Sequence, residues 1–357
     1  MFKILILFTN IIVLSFFSFI TKLKFSFHKL RASIIFVTPL VLIFVLLIFY
    51  IKNYDYLDND IKRYMSFYSQ INDFDSYIYY SLRDLDFIFF GLMYIFKNIG
   101  FSSLFFVNFI LLLSVMILFK GLYNLFIDKS NYYLCLLLFF SSSSFYFLYG
   151  NVIRQGLAAS ILIFLISSNR KNKLLKFSMP FIHKASMPYF LTSFIPLKKF
   201  FLLIFLIISV ITSFYSLQIF TQLLYLSNLS SLDFYLNSFT RNSSNNSSLK
   251  LIILFLNLVY FILFFKKVEM NNKQLNLFKS YFIFSCLTIC VYQIDGVFSR
   301  LNYFCTFLSF PLHVAYMSLN RHIVYKRIVF LTLFFFTIFY SVYVFNHPSI
   351  LFNLDIK

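Results

Sequence analysis

Long apolar runs recur along the whole chain and are separated by short polar segments. A helix needs about 20 apolar residues to cross roughly 30 Å of hydrocarbon, and ten of the runs approach that length. We predict transmembrane helices at residues 1–20, 32–51, 101–120, 132–149, 152–168, 200–217, 250–265, 281–298, 301–318 and 328–345. The pattern therefore predicts an all-α, polytopic integral membrane protein that forms a single transmembrane domain over residues 1–357.

Two further apolar stretches do not fit a plain spanning helix. Residues 86–99 are too short to cross a bilayer. Residues 177–197 are interrupted by three prolines and by Lys184. Broken backbone is tolerated at membrane depth only against protein or a water-filled cavity. We therefore predict a re-entrant segment at 177–197, which enters and leaves the membrane on the same side.

The distribution of basic residues sets the predicted orientation. The chain has 31 Lys and Arg residues and a net charge of +19. With a re-entrant 177–197, most of these residues fall in cytoplasmic connections, whereas a full crossing would divide them almost evenly. Because cytoplasmic loops carry an excess of Lys and Arg, the re-entrant topology is favoured. It places both termini and the two long polar segments, about 52–85 and 218–249, on the outer side of the membrane.

Composition supports a membrane protein and excludes other classes. Apolar residues make up 61% of the chain and charged residues 12%, whereas a soluble domain is about half apolar and a quarter charged. The basic residues stand in short clusters and form no single basic face, which argues against nucleic-acid binding. All four cysteines lie in apolar runs without metal-ligand spacing, so we predict buried thiols, no metal site and no cofactor.

Arg154 and Gln155 stand at the predicted outer mouth of a span, in the sequence NVIRQGLAAS. An arginine at this depth is costly unless it is paired or functional. It could extend to lipid phosphates, or it could recognise a phosphate group of a substrate through its planar guanidinium. Gly156 and Ser160, which follow four residues apart, would let a neighbouring helix approach closely.

Arg300 interrupts a long apolar stretch between two predicted spans, in the sequence DGVFSRLNYF. Tyr303 lies about one helical turn further on. An ion pair with Asp295 would explain both charges without a ligand, and a charge in a tight turn is a second structural explanation. The alternative is a second cation for a phosphate group.

The outer segment 52–85 and the residue that follows it hold seven of the 12 acidic residues, interleaved with tyrosines. Carboxylates beside aromatic rings suit sugar binding, although a solvated loop with an interfacial tyrosine belt explains the pattern equally well. His183 lies in the broken segment 177–197. It is a structural residue or, since Lys184 follows it directly, a polar group in a wet cavity.

Taken together, these motifs resemble the EpsG-like family of Wzy-type polysaccharide polymerases. The similarity rests on an outer Asp- and Tyr-rich loop before a short segment at 86–99, RQGLA opening a span, a histidine in a broken segment, and a late FSRLNYF. It covers most of residues 50–315. One departure is that Asp86, followed by Phe87 and Ile88, stands where the family has Glu followed by Pro-Gly.

The resemblance implies a GT-C-like fold and a metal-independent glycosyltransferase in the bacterial inner membrane. Such an enzyme joins oligosaccharide repeat units carried on undecaprenyl diphosphate into O-antigen or capsular chains, at the outer face. Its expected partners are these lipid-linked oligosaccharides, membrane lipids, and a chain-length regulator and flippase of the same pathway. A lipid-oligosaccharide flippase and an O-antigen ligase are the rival functions.

The resemblance also suggests roles for the candidate residues. The candidate catalytic residues are Asp86, His183 and Asp75, and the candidate diphosphate-binding residues are Arg154, Gln155, Arg300 and Tyr303. Burying each polar group alone would be costly. We therefore predict that Asp86, His183, Arg154 and Arg300 surround one outward-opening cavity.

Overall fold

The structure of the protein is a computed structural model that describes a large part of the chain. The described residues are 60–168, 173–193, 198–227, 246–263, 265, 270–319, 335 and 339. The predicted spans 1–20 and 32–51 and nearly all of 328–345 lie outside these residues, as does most of the outer segment 218–249.

The described residues are helical and contain no strand. The α-helices are α1 (Asp60–Gln70), α2 (Phe74–Asp84), α3 (Phe87–Asn98), α4 (Ser103–Leu125), α5 (Lys129–Ser141), α6 (Ser143–Gly150), α7 (Ile153–Ser167), α8 (Lys173–Ile182), α9 (Lys199–Ser227), α10 (Asn246–Leu263), α11 (Asn272–Cys290) and α12 (Asp295–Leu319). A 3₁₀-helix occupies Lys184–Ser193. The prediction of an all-α fold is confirmed for this part of the chain.

Two described helices are long and apolar enough to cross a bilayer, namely α4 and the Lys199–Ser216 part of α9. Shorter apolar helices lie at Phe87–Asn98, Asn131–Phe140, Ile153–Ser167 and Ser248–Leu263. The prediction of about ten transmembrane helices stays a prediction.

The predicted span 132–149 is wrong as a single helix. It is divided between α5 and α6, and Ser142 lies at the junction. The Ser142 hydroxyl accepts a hydrogen bond from the Ser144 amide at 3.2 Å. Serine side chains compete in this way with the backbone bonds of a continuous helix, which explains a break within the run of four serines.

The boundary between the last two described helices also differs from the prediction. α11 ends at Cys290 and α12 begins at Asp295, so the turn comes several residues earlier than 299–300. Arg300 therefore lies within α12. An acidic residue favours a helix start, whereas arginine is a good helix former and does not end one.

The chain divides into two compact units. Unit 1 comprises residues 1–184 and 310–357, and unit 2 comprises residues 185–309. In unit 2, α9, α10 and α11 pack on one another. Within that unit, Phe304 of α12 stacks on Phe284 of α11, with ring centroids 5.0 Å apart.

The core of unit 1 is the close contact of α4 with α7. A Cβ on Gly121 of α4 would lie 2.9 Å from the backbone nitrogen of Phe164, so only glycine allows this approach. Gly156 of α7 has the same role toward α6, since a Cβ there would lie 2.8 Å from the Leu148 carbonyl oxygen. The Ser160 hydroxyl is 2.6 Å from the Tyr149 hydroxyl. Gly156 and Ser160 thus do admit a neighbouring helix, as their spacing suggested.

Residues 60–84 of the predicted outer segment form two helices. α2 begins with a capping box, in which the Asp73 carboxylate accepts from the Ser76 amide at 2.8 Å and the Ser76 hydroxyl accepts from the Asp73 amide at 3.1 Å. After α3, Gly100 takes a positive φ of 94°, and the Phe101 amide donates to the Phe96 carbonyl at 3.1 Å. Local signals thus fix the ends of both helices next to the site.

The predicted segment 177–197 is described as far as residue 193, and its backbone is interrupted there at His183. α8 ends at Ile182, His183 follows, and the 3₁₀-helix begins at Lys184. Whether this segment re-enters the membrane stays a prediction.

Replacing Gly156 by alanine should destabilise the protein because the new Cβ meets backbone rather than a movable side chain. We expect Gly156→Ala to lower the free energy of unfolding by about 1–3 kcal/mol. Gly91→Ala is the matched control, because a Cβ there meets Tyr77 at an ordinary 3.7 Å. Thermal unfolding of the purified protein in detergent measures both, and equal transition temperatures for the two variants would contradict the close packing.

Candidate functional site

Two aspartates flank the turn between α2 and α3. Leu85, between Asp84 and Asp86, has a left-handed φ of 60°, which is uncommon for a branched side chain. Asp86 occupies the N-cap position of α3, yet its side chain makes no capping hydrogen bond there. The carboxylate is only 1% exposed. The Asp86 carboxylate therefore does not cap α3 and is available to side chains from other helices.

The main partner of both aspartates is Arg154, in the first turn of α7. Its Nη1 lies 2.6 Å from Asp86 Oδ2 and 3.2 Å from Asp84 Oδ2. A cation near a helix N-terminus is unfavourable because the helix dipole is positive there. The two carboxylates compensate this repulsion and replace the water that burial removes, since the Arg154 side chain is 13% exposed.

Aromatic rings complete the surroundings of Arg154. Its Cζ lies 5.0 Å from the centre of the Tyr64 ring and 5.7 Å from those of Phe89 and Phe90. These are cation–π distances. Burial raises the pKa of the Tyr64 hydroxyl to about 12, although the nearby Arg154 acts in the opposite direction. Tyr64 is therefore a neutral ring beneath the guanidinium.

The start of α1 is tied to the start of α7. The Asp60 amide donates to the Asn151 side-chain oxygen at 2.9 Å. This bond satisfies one of the unpaired amides at the N-terminus of α1. It also brings α1, and with it Tyr64, against the residues that precede Arg154.

His183 and Lys184 approach Asp86 from the end of α8. His183 Nδ1 lies 3.5 Å from Asp86 Oδ2, and the Lys184 amide donates to Asp86 Oδ1 at 3.2 Å. The His183 side chain is buried. Asp86 thus accepts a hydrogen bond from Arg154 through Oδ2, which also faces the imidazole, and one from the Lys184 amide through Oδ1.

Asp84 connects the mostly buried Arg154 to Arg83, whose side chain is exposed. Its Oδ1 accepts from Arg83 Nε at 3.2 Å, while Oδ2 faces Arg154. Burial alone would raise the pKa of Asp84, but the charges and hydrogen bonds of Arg154 and Arg83 prevail, so the pKa is lowered. The Arg83 guanidinium itself lies over the adjacent rings of Phe67 and Tyr80, with its Cζ 4.9 and 4.8 Å from their centres.

The structure brings together only some of the predicted site residues. Asp86, His183 and Arg154 are in contact, and Gln155 is fully buried beside Arg154 in α7. Asp75 is exposed in the first turn of α2 and forms no ion pair with any described residue. The roles assigned to these residues stay predictions.

Arg300 and Tyr303 lie in the part of α12 that belongs to unit 2. Arg300 is exposed and Tyr303 is half-buried. The predicted ion pair of Arg300 with Asp295 stays a prediction, because the Asp295 side chain is not among those that the structure describes. The predicted single cavity that includes Arg300 also stays a prediction.

Three residues of the cluster were missed from sequence, namely Tyr64, Arg83 and Asp84. The spacing of Asp84 and Asp86 was a usable signal, because two carboxylates flanking one residue can be turned to the same cation when that residue is left-handed. No local signal pointed to Tyr64, since it meets Arg154 only through the packing of α1.

The cluster combines an imidazole with two carboxylates and two guanidinium groups, which are components of acid–base chemistry. Within the described residues no group of three or more His, Cys, Asp or Glu side chains could hold a metal ion. Arg83 and Arg154 carry two positive charges, and Asp84 and Asp86 carry two negative charges. Asp86 Oδ2 lies 3.5 Å from His183 Nδ1, so the arrangement places a carboxylate beside an imidazole.

The described part of the chain is helical, and two of its helices are long and apolar enough to cross a membrane. The chain belongs to the EpsG family, whose model matches residues 37–354. The family includes proteins like the Wzy-type polymerases, so the resemblance found in the sequence is confirmed, and it indicates a membrane protein of polysaccharide biosynthesis. No curated protein and no solved structure gives a significant match to the chain.

The lowered pKa of Asp84 predicts a pH-dependent contribution to stability. The ionised carboxylate stabilises the fold above the pKa of an unfolded aspartate, about 3.9, and this contribution is lost as pH falls through the lower folded value. We expect Asp84→Asn to lower the free energy of unfolding by about 1–3 kcal/mol at pH 7, and the difference from wild type to shrink below about pH 4.

Unfolding in detergent, followed at pH 7 and at pH 3, measures this effect. Asp75→Asn is the control, because an exposed carboxylate without an ion pair should change the free energy of unfolding by less than about 0.5 kcal/mol at either pH. A difference between wild type and Asp84→Asn that is unchanged at pH 3 would contradict the ionic role of Asp84.

Proposed function

We propose that this protein polymerises oligosaccharide repeat units linked to undecaprenyl diphosphate, at the outer face of the bacterial inner membrane. The observation that supports this most is the buried pair of Asp86 and His183, held by Arg154. A histidine oriented by a carboxylate is the usual arrangement for taking a proton from a hydroxyl. Membership of the EpsG family, which indicates polysaccharide biosynthesis, supports a lipid-linked sugar as the substrate.

In the proposed reaction, a hydroxyl of the acceptor sugar attacks the anomeric carbon of the donor. A new bond forms between this oxygen and the anomeric carbon, and the bond from that carbon to the diphosphate oxygen breaks. The proton of the hydroxyl passes to His183, and the carrier diphosphate leaves with the bonding electron pair. Asp86 stabilises the imidazolium that results.

Arg154 has a positioning role in this proposal. Its guanidinium is engaged by Asp84 and Asp86, so it fixes the carboxylate that orients the imidazole. Preorganised charges of this kind lower the barrier without reorganisation during the reaction. The leaving diphosphate needs cations as well, and Arg300 is a candidate on the resemblance to the family alone.

Replacing His183 should abolish chain growth without removing the repeat unit. In a deletion strain complemented with the gene, we expect His183→Gln to lower polymer formation by a factor of about 10²–10⁴, with single repeat units still reaching the cell surface. Asp86→Asn should act in the same direction, whereas Arg63→Gln, at an exposed residue outside the cluster, should leave the polymer intact. Gel analysis of extracted polysaccharide, with the protein level checked by immunoblot, measures this.

Three results would contradict the proposal. Polymer of wild-type length in both His183→Gln and Asp86→Asn would show that these two residues are not needed for the transfer reaction. Complete absence of surface repeat units in the deletion strain would indicate a flippase. Long polymer that remains on the lipid carrier in the deletion strain would indicate a ligase.

A further inference from the structure

The guanidinium of Arg154 is poorly placed to meet a diphosphate. It faces two carboxylates at 2.6 and 3.2 Å and is covered by the Tyr64 ring. An incoming diphosphate would have to displace Asp84 or Asp86, both held by further hydrogen bonds, and would meet their negative charges. The cluster therefore needs another cation at its exposed side if it is to receive an anionic group.

Arg83 is a cation at that side. Its side chain is 41% exposed, and its Nε donates to Asp84, whose other oxygen faces Arg154. Four successive contacts, none longer than 3.5 Å, thus connect Arg83 to His183 through Asp84, Arg154 and Asp86. Among the described residues, no side chain or carbonyl accepts a hydrogen bond from the Nη1 or Nη2 atoms of Arg83.

Two aromatic rings hold the Arg83 guanidinium in place. Phe67 of α1 and Tyr80 of α2 are themselves in contact, with centroids 5.3 Å apart, and the Tyr80 hydroxyl donates to Gln70. An arginine fixed in this way loses little conformational entropy when it binds a ligand. Its planar guanidinium matches two oxygens of a phosphate group, and the side chain is partly exposed to such a ligand.

We propose that Arg83 binds the diphosphate of the lipid-linked substrate, at the exposed edge of the Asp84–Arg154–Asp86–His183 cluster. This rests on the proposed function for the identity of the anion. In this proposal Arg154 positions the carboxylates, and Arg83 contacts the ligand. Asp84 connects the two arginines, so binding at Arg83 is fixed relative to the imidazole.

Arg63 provides a matched control. It is also an exposed arginine, on α1, and its Nη1 is 3.2 Å from Asp60 on the preceding helical turn. It carries the same charge, and among the described residues its ion pair is with Asp60, outside the cluster around Arg154. Arg63→Ala therefore changes the net charge as Arg83→Ala does, without changing the proposed contact.

Binding of radiolabelled undecaprenyl diphosphate to the purified full-length protein in detergent tests the proposal. We expect Arg83→Ala to weaken binding by about ten- to a hundredfold, Arg83→Lys to weaken it less, and Arg63→Ala to change it less than about twofold. Uncharged undecaprenol should compete equally poorly with every form. Inorganic pyrophosphate should compete with wild type and lose this effect in Arg83→Ala.

Equal affinities for wild type, Arg83→Ala and Arg83→Lys would overturn the assignment, and so would an equal loss in Arg63→Ala. If Arg83→Ala does not fold, the comparison of wild type with Arg83→Lys still tests the assignment. The proposed function is judged separately by polymer formation. If binding depends on Arg83 but deletion of the gene leaves the polymer unchanged, the anion site at Arg83 is supported. The same result contradicts the proposed polymerase function.

Discussion

The burial of the Arg154 guanidinium is the constraint on which the rest of the site depends. A buried cation at the start of a helix is tolerated only with anions close by, and the turn between α2 and α3 supplies two of them. The turn does so by giving Leu85 a left-handed conformation and by leaving α3 without a side-chain cap from Asp86. The turn thus lacks a favourable backbone conformation and a helix cap, and in exchange its two carboxylates reach Arg154.

The same cation gathers elements that are distant in sequence. α7 carries Arg154, α1 supplies the ring beneath it, and the end of α8 brings His183 and the Lys184 amide to Asp86. The tight packing of α7 against α4 and α6, through glycines, gives these partners a rigid support. A histidine held by a carboxylate on such a support is suited to accept a proton, which links the packing of the fold to the proposed transfer reaction.

Much of the fold could be predicted from the sequence because apolar length and periodicity report directly on helices. The helices α4, α7 and α10 lie close to their predicted positions. The break at Ser142 was missed because apolar runs do not show how hydroxyls compete for the backbone. In the site, burial cost pointed to Arg154 and His183, and the resemblance to the family pointed to Asp86. The partners Asp84 and Tyr64 depend on a turn conformation and on helix packing, which hydrophobic patterning does not encode.

A double-mutant cycle between Arg154 and Asp86 tests the account most directly. The free energy of unfolding is measured in detergent for wild type, Arg154→Gln, Asp86→Asn and the double variant. Because each single variant leaves a buried charge without its nearest partner, we expect the double variant to be more stable than the sum of the two losses predicts, by about 1–3 kcal/mol. Losses that add to within about 0.5 kcal/mol would show that the two side chains do not interact and would contradict the central claim.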